Sequence, residues 1–193
     1  MNIHTLTLGS FQTNCYILEE DGRCLIIDPG YEPETLLQFV DARGLNIQGI
    51  LLTHGHFDHV GAVEKLVEAA GCPLYMHQAD HSQPAVYKML YPLTGKGNPV
   101  FVEEGDCLPM GISLLETPGH TPGSVCYFTE DALFSGDTLF AGTCGRTDLP
   151  GGSAKALRGS LARLAALEKD YTVYPGHGES TTLAAEKRYN PYM

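Results

Sequence analysis

The sequence predicts an α/β fold in which two β-sheets lie face to face and helices cover their outer sides. Three observations predict it. Apolar runs of strand length alternate with runs of helical periodicity along the whole chain. The strand runs are apolar at nearly every position, as strands covered on both faces are. Turn residues punctuate the runs closely, with 22 glycines and 12 prolines in 193 residues.

Residues 2–8, 14–20 and 23–28 read as a β-meander, with Asp21-Gly22 as a tight turn. A short helix is expected over 33–43, ended by Gly44, and a buried strand from Ile47 to Thr53. Val60, Val63, Leu66, Val67 and Ala70 recur at helical spacing, which predicts one amphipathic helix stopped by Gly71. Leu74–Met76 reads as a strand. The tract 80–100, from His81-Ser82-Gln83-Pro84 to Asn98-Pro99, breaks the pattern and reads as an insertion or lid. Strands follow at 111–116, 124–129 and 132–136. A helix is expected from Ala154 to Leu167, with Ser153 as N-cap and Leu157, Leu161 and Leu164 on one face. A strand at 171–174 and a short helix at 181–188 complete the chain. Asn14-Cys15-Tyr16 with Ile27-Asp28 is echoed by Val125-Cys126-Tyr127 with Gly136-Asp137, which suggests two similar β/α halves meeting near 106–110.

The length suits a single domain spanning 1–193, and 43% apolar residues exclude a disordered chain. No apolar run approaches the ~20 residues of a membrane span. Met1-Asn2-Ile3-His4 lacks the basic start of a secretory signal. The six cysteines form no CxxC pair and read as reduced, so a cytoplasmic protein is expected. A net charge of −11 argues against nucleic acid as a partner.

The chemistry is concentrated in Thr53-His54-Gly55-His56-Phe57-Asp58-His59, where a buried strand hands over to a helix. In extended chain, residues two apart face one way, so His54 and His56 can grip one ion. As the chain turns into the helix, Asp58 and His59 point elsewhere and can serve a second. His120, in Thr117-Pro118-Gly119-His120-Thr121-Pro122-Gly123, and His177, in Tyr174-Pro175-Gly176-His177-Gly178, sit in stiff loops after strands. Asp137 ends the strand between them. Strand-end placement brings all seven to one edge of the sheets. His4, His77 and His81 have no partners at ligand spacing and are assigned structural or solvent roles.

His-x-His-x-Asp-His followed by a lone His, an Asp and a final His resembles the metallo-β-lactamase superfamily over almost the whole chain. The resemblance implies a four-layer αβ/βα sandwich and two divalent metal ions, zinc before iron or manganese. It implies His54, His56 and His120 on metal one, Asp58, His59 and His177 on metal two, and Asp137 between them. Asp28 matches an aspartate that supports the ligand cluster.

Within the superfamily, His56 differs from the Glu of the diiron flavoproteins. Asp137 differs from the Cys of the best-known secreted β-lactamases. The net charge suits the tRNA-processing nucleases poorly. Leu51–Ala62 and Phe134-Ser135-Gly136-Asp137-Thr138-Leu139-Phe140 resemble glyoxalase II and its short bacterial relatives. Fuller glyoxalase II enzymes continue into a helical glutathione-binding domain, whereas this chain ends 16 residues after His177. Their Cys-Gly-Lys-x-Tyr stretch is here Cys144-Gly145-Arg146-Thr147-Asp148. Arg146 can replace the lysine that touches substrate; Asp148 cannot replace the tyrosine. The implied activity is hydrolysis of a small anionic hydroxyacyl thioester by a hydroxide between the metals, with Asp58 also orienting it. The alternative is a mononuclear iron persulfide dioxygenase of the same fold, which shares Cys-Gly-Arg-Thr-Asp. Phe57 and Leu149-Pro150-Gly151-Gly152 favour the hydrolase.

Overall fold

In the computed structural model, which describes residues 1–193, the first half of the chain builds a six-stranded sheet. Strands β1 (Asn2–Leu8), β2 (Thr13–Glu20) and β3 (Arg23–Ile27) form the antiparallel meander. Asp21 and Gly22 both have positive φ (51° and 72°), as a two-residue hairpin turn requires. Helix α1 (Pro33–Ala42) crosses over to β4 (Asn46–Leu51), which pairs parallel with β3. Helices α2 (Phe57–Val60) and α3 (Val63–Ala70) lead to β5 (Leu74–Met76), and α4 (Gln78–His81) precedes the edge strand β6 (Val100–Phe101).

The second half repeats this plan in a five-stranded sheet. Strands β7 (Ser113–Glu116), β8 (Val125–Phe128) and β9 (Ala132–Gly136) are antiparallel, and a small hairpin of β10 (Leu139–Phe140) and β11 (Thr143–Cys144) follows. Helix α5 (Ala154–Ala165) crosses to β12 (Thr172–Pro175), parallel to β9; β13 (Thr181–Thr182) and α6 (Leu183–Tyr189) close the chain. Ser153 caps α5 by accepting from the amide of Ala156. The echo read in the sequence therefore has a counterpart: each half carries an antiparallel hairpin, then a helix, then a parallel strand.

Period-2 alternation explains the apolar strands. Cys24 and Ile26 face outward onto Leu36, Val40 and Leu66 of α1 and α3. Leu25 and Ile27 face inward onto Val125, Tyr127 and Phe134 of the second sheet. On the far side of that sheet, Leu133 and Val173 pack against Leu157, Leu161 and Leu164 of α5. The result is four layers, helix–sheet–sheet–helix, with every central strand buried on both faces. None of the six cysteines is paired, and four are buried. No helix is long and apolar enough to cross a membrane.

The helix expected after the His-rich motif is two helices. The break has a steric cause. A side-chain carbon at Gly61 would lie 2.2 Å from the Gly30 carbonyl oxygen, and one at Gly30 would lie 1.9 Å from that of Asp58. The amide of Ala62 donates to Pro29. Helix α2 is thus pressed against the loop after β3, and the chain must bend before α3 can follow its own apolar face.

The tract 80–100 is not a free insertion. Tyr91 and Leu93 are buried, the Tyr91 hydroxyl donates to Pro150 O at 3.0 Å, and the Phe57 amide donates to Leu90 O at 2.9 Å. It forms a wall of the site, held by backbone contacts that carry no periodicity.

Because there is no room for a side-chain carbon between Gly61 and the Gly30 carbonyl, Gly61→Ala should destabilise the protein by about 1–3 kcal/mol, the usual cost of overpacking. Thermal denaturation measures this; an unchanged or higher Tm would mean that α2 is not seated on the Pro29-Gly30 loop.

Candidate metal centre

All seven sequence-predicted ligands lie at one end of the sandwich. His54 follows β4, His56 is the N-cap of α2, and Asp58 and His59 lie within α2. His120 comes from the β7–β8 loop, Asp137 from the end of β9 and His177 from the loop after β12. Three of the rings form one triad, His54, His56 and His120, with centroids 4.7–4.9 Å apart. Asp58, His59 and His177 form a second group. Asp137 stands between them, Oδ2 3.5 Å from His120 Nε2 and Oδ1 3.5 Å from His59 Nε2.

These distances fit cations better than hydrogen bonds. Ligand bonds of 2.0–2.2 Å in a tetrahedral shell place ligand atoms about 3.3 Å apart. His56 Nδ1 and His120 Nε2 are 3.0 Å apart, His177 Nε2 and Asp58 Oδ2 3.3 Å, His177 Nε2 and Asp137 Oδ2 3.7 Å, and His59 Nε2 and Asp58 Oδ2 3.9 Å. Moreover His54 Nε2, His59 Nε2 and Asp137 Oδ1 are buried with no hydrogen-bond partner. Orphaned polar atoms of this kind are costly in an apolar interior unless something binds them.

The outer nitrogens of His54, His59, His120 and His177 are already engaged, which leaves their inner ones facing the centre. His120 Nδ1 donates to Arg146 O at 2.8 Å and His177 Nδ1 to Phe11 O at 3.1 Å. His54 Nδ1 donates to Thr53 Oγ1 at 3.1 Å, and that hydroxyl donates onward to Asp28 Oδ2 at 2.6 Å. Asp28 also accepts from the Thr53 amide at 2.8 Å and from His59 Nδ1 at 2.9 Å. Asp28 has φ of +50°, a left-handed conformation that aspartate tolerates better than most residues and that turns its carboxylate in under the histidines. Although Asp28 lies close enough to His54 and His59 to form a third cluster, its oxygens are occupied by these donors. It supports the ligands.

Protonation follows the same division. Burial, reinforced by the neighbouring histidines, pushes His54 well below the ordinary imidazole range, and His56 falls to about 3. Burial also acts to lower His59, but Asp137 and Asp28 outweigh it and hold that ring up at about 9. Burial acts to raise Asp58, yet the hydrogen bond from His177 and the charge of His59 bring it down to about 2. His54 and His56 are therefore neutral and ready to ligate. The second group is a carboxylate-rich cluster that calls for positive charge, which a divalent ion supplies better than a proton.

A cavity of about 630 Å³ opens over the centre. Phe11, Phe57, Leu90, Phe140 and Leu149 make its walls apolar, with Phe11 and Phe57 edge-to-face at 5.0 Å. Arg146 reaches the rim, where its guanidinium makes two 2.7 Å bonds to Asp148. The three remaining histidines stand apart: His4 pairs with Glu19, His77 caps α4, and His81 bonds to Lys96 O.

Sequence reasoning missed Asp80, Tyr91 and Thr53. Asp80 is almost wholly buried and accepts hydrogen bonds from both loops that bear the first triad, and Tyr91 packs on His56 at 4.9 Å. A signal for Asp80 was available. It lies just beyond strand 74–76, as Asp28 and Asp137 lie at the ends of theirs.

The fold and this constellation define a metal-centred α/β sandwich, and comparison with known proteins agrees. Residues 8–177 match the family described as the metallo-beta-lactamase superfamily. The chain belongs to that superfamily. It is 37% identical to the probable metallo-hydrolase YqgX of Bacillus subtilis (all of this chain, 98% of the relative). It is 35% identical to the hydroxyacylglutathione hydrolase GloC of Haemophilus influenzae, again over all of this chain and 98% of the relative. Among solved structures it resembles BLEG-1 B3 metallo-beta-lactamase (TM-score 0.87, 36% identity, 99% of both chains). It resembles TTHA1623 in a di-iron-bound form (TM-score 0.86, 44% identity, 98% and 100% covered). ETHE1 from Myxococcus xanthus is also similar (TM-score 0.85, 31% identity, 99% and 84% covered).

Asp28→Asn keeps a residue that tolerates the left-handed backbone but removes the charge facing His59. The variant should fold and lose metal affinity by about 10- to 100-fold, as losses of a ligand's supporting partner generally do. Competition with a chromogenic chelator measures it; unchanged affinity would show that Asp28 does not govern His59.

Proposed function

We propose that this chain is a two-metal hydrolase of hydroxyacyl thioesters resembling S-lactoylglutathione. One observation carries the reading: two full ligand sets share Asp137 beneath a single cavity. His54, His56 and His120 would hold one ion and Asp58, His59 and His177 the other. The nitrogen and oxygen donors suit zinc, iron or manganese. Zinc is the first choice, and the di-iron form of a relative 44% identical makes iron the second. When bound, two such ions polarise a substrate carbonyl and lower the pKa of a water to about 7.

The chain's own groups do the rest. Asp58, ionised at any working pH, would both hold the second ion and orient the attacking water by accepting its hydrogen bond. Asp28 keeps His59 aligned through Nδ1. The apolar wall of Phe11, Phe57 and Leu90 excludes water and receives the acyl half. No lining residue is placed as a dedicated acid for the leaving group. The Cys144 thiol is pushed up by burial, and Arg146 stays charged. A thiolate leaves without such an acid because a free thiol has a pKa of about 8.5, whereas an amine does not. This supports a thioester over an amide. GloC, similar over its whole length, supports the same class.

A second reading, a single iron and oxidation of a persulfide, is favoured by Cys144-Gly145-Arg146-Thr147-Asp148 and by the likeness to ETHE1. Metal analysis of anaerobically purified protein separates the two. Two ions per chain and turnover of S-lactoylglutathione are expected. One iron per chain, with oxygen uptake on glutathione persulfide, would replace the hydrolase with the dioxygenase. His59→Ala should cost hydrolysis about 100-fold or more through loss of the second ion, while the first ion stays.

Arg146 is exposed and paired with Asp148, so its pairing contributes little to stability. Arg146→Ala should raise KM for thioesters bearing a carboxylate about 5- to 10-fold, with kcat nearly unchanged, as loss of uniform binding does. Equal KM values would remove Arg146 from the substrate's path.

A further inference from the structure

Asp80 lies in α4, outside every ligand set, yet it is 1% exposed and its carboxylate is saturated by donors from two other segments. Oδ2 accepts from the Gly55 amide at 2.7 Å and from the Thr121 hydroxyl at 2.8 Å; Oδ1 accepts from the Gly123 amide at 2.7 Å. Gly55 lies between His54 and His56. Thr121 and Gly123 follow His120. The first segment belongs to the first sheet and the second to the other, so the three-histidine set is assembled across a gap between sheets. The fit is tight on both sides. A side-chain carbon at Gly55 would lie 3.0 Å from Asp80 Cβ, and one at Gly123 would lie 2.7 Å from Asp80 Oδ1. Thr121 is held in turn by Ser124, with the hydroxyls 2.8 Å apart.

We propose that Asp80 is a positioning residue for the first metal: its carboxylate sets the distance between the Gly55 and Thr121–Gly123 backbones, and thereby between His54, His56 and His120. The inference rests on the ligand sets proposed above. A carboxylate is required because all three partners are donors. It can accept on both oxygens, and charge-assisted bonds are the shorter and stronger kind. An asparagine of the same shape must turn its NH₂ towards one donor, which would push one loop away. The second metal set has no such tie to Asp80, since Asp58 and His59 are fixed by the Gly30 contact and Asp28.

The test reads metal binding in the full-length chain and needs no substrate. Asp80→Asn is made in two backgrounds, His59→Ala, which keeps the three-histidine set, and His120→Ala, which keeps the other. Zinc affinity is measured by chelator competition, and Co(II) absorption reports the ligand geometry. In the His59→Ala background, Asp80→Asn should weaken zinc about 10-fold or more, in the range for second-layer partners, and shift the Co(II) d–d bands. In the His120→Ala background it should change neither. Equal loss in both would make Asp80 a general structural staple and overturn the proposal, as would no loss in either. Should Asp80→Asn fail to fold, Thr121→Val removes one of the three bonds and keeps the carboxylate; the same site-selective loss is expected, smaller in size. Wild-type stoichiometry is read in parallel. One ion per chain would defeat the two-metal reading and leave the Asp80 comparison in the three-histidine background valid.

Discussion

The centre depends on one buried carboxylate, that of Asp28. A charge taken out of water is tolerated only where donors replace the lost hydration. Asp28 finds them in the Thr53 amide, the Thr53 hydroxyl and His59 Nδ1. Together these bonds join two pieces of the site to the end of β3. Through Thr53, Asp28 fixes the end of the neighbouring strand and the ring of His54; through His59 it fixes α2. The close approach of Gly30 and Gly61 is what lets the helix reach it. The strands thus define where the ligands start, and Asp28 defines which way His54 and His59 face.

The two ligand groups differ in character although they touch. His54 and His56 are buried beside other imidazoles, and burial and mutual repulsion keep them neutral. Asp58, Asp137 and Asp28 surround His59 and hold it protonated far above the usual range. A metal would meet no competing proton on His54 or His56 near neutrality, whereas one entering the second group would displace a proton from His59. Asp137 reaches both. Its position couples the charge of one pocket to the occupancy of the other.

Much of this was legible in the residue pattern, for identifiable reasons. Strand-end placement of His54, His120, Asp137 and His177 is a consequence of topology, and topology follows from apolar periodicity. Ser153, Gly44, Gly71 and Asp21-Gly22 act through local backbone preference, so they too can be read residue by residue. The split of α2 from α3 was not legible, because Gly61 looks like a tolerated helical glycine until Gly30, distant in sequence, is brought against it. The wall formed by residues 80–100 was also hidden. It is held by single bonds from Leu90 and Tyr91 to distant backbone, which leave no repeating trace. Asp80 disappeared into that tract, although its place after a strand end matched the rule that had found Asp137.

The centre draws on both sheets for each group: His54 and His56 meet His120, and Asp58 and His59 meet His177. Neither half of the chain holds a complete set by itself. A metal held by these residues would therefore be bound only by the closed sandwich, and a ligand that binds only the closed form stabilises it by mass action. Scarcity of metal would then raise the population of loosened chains, the form open to proteolysis.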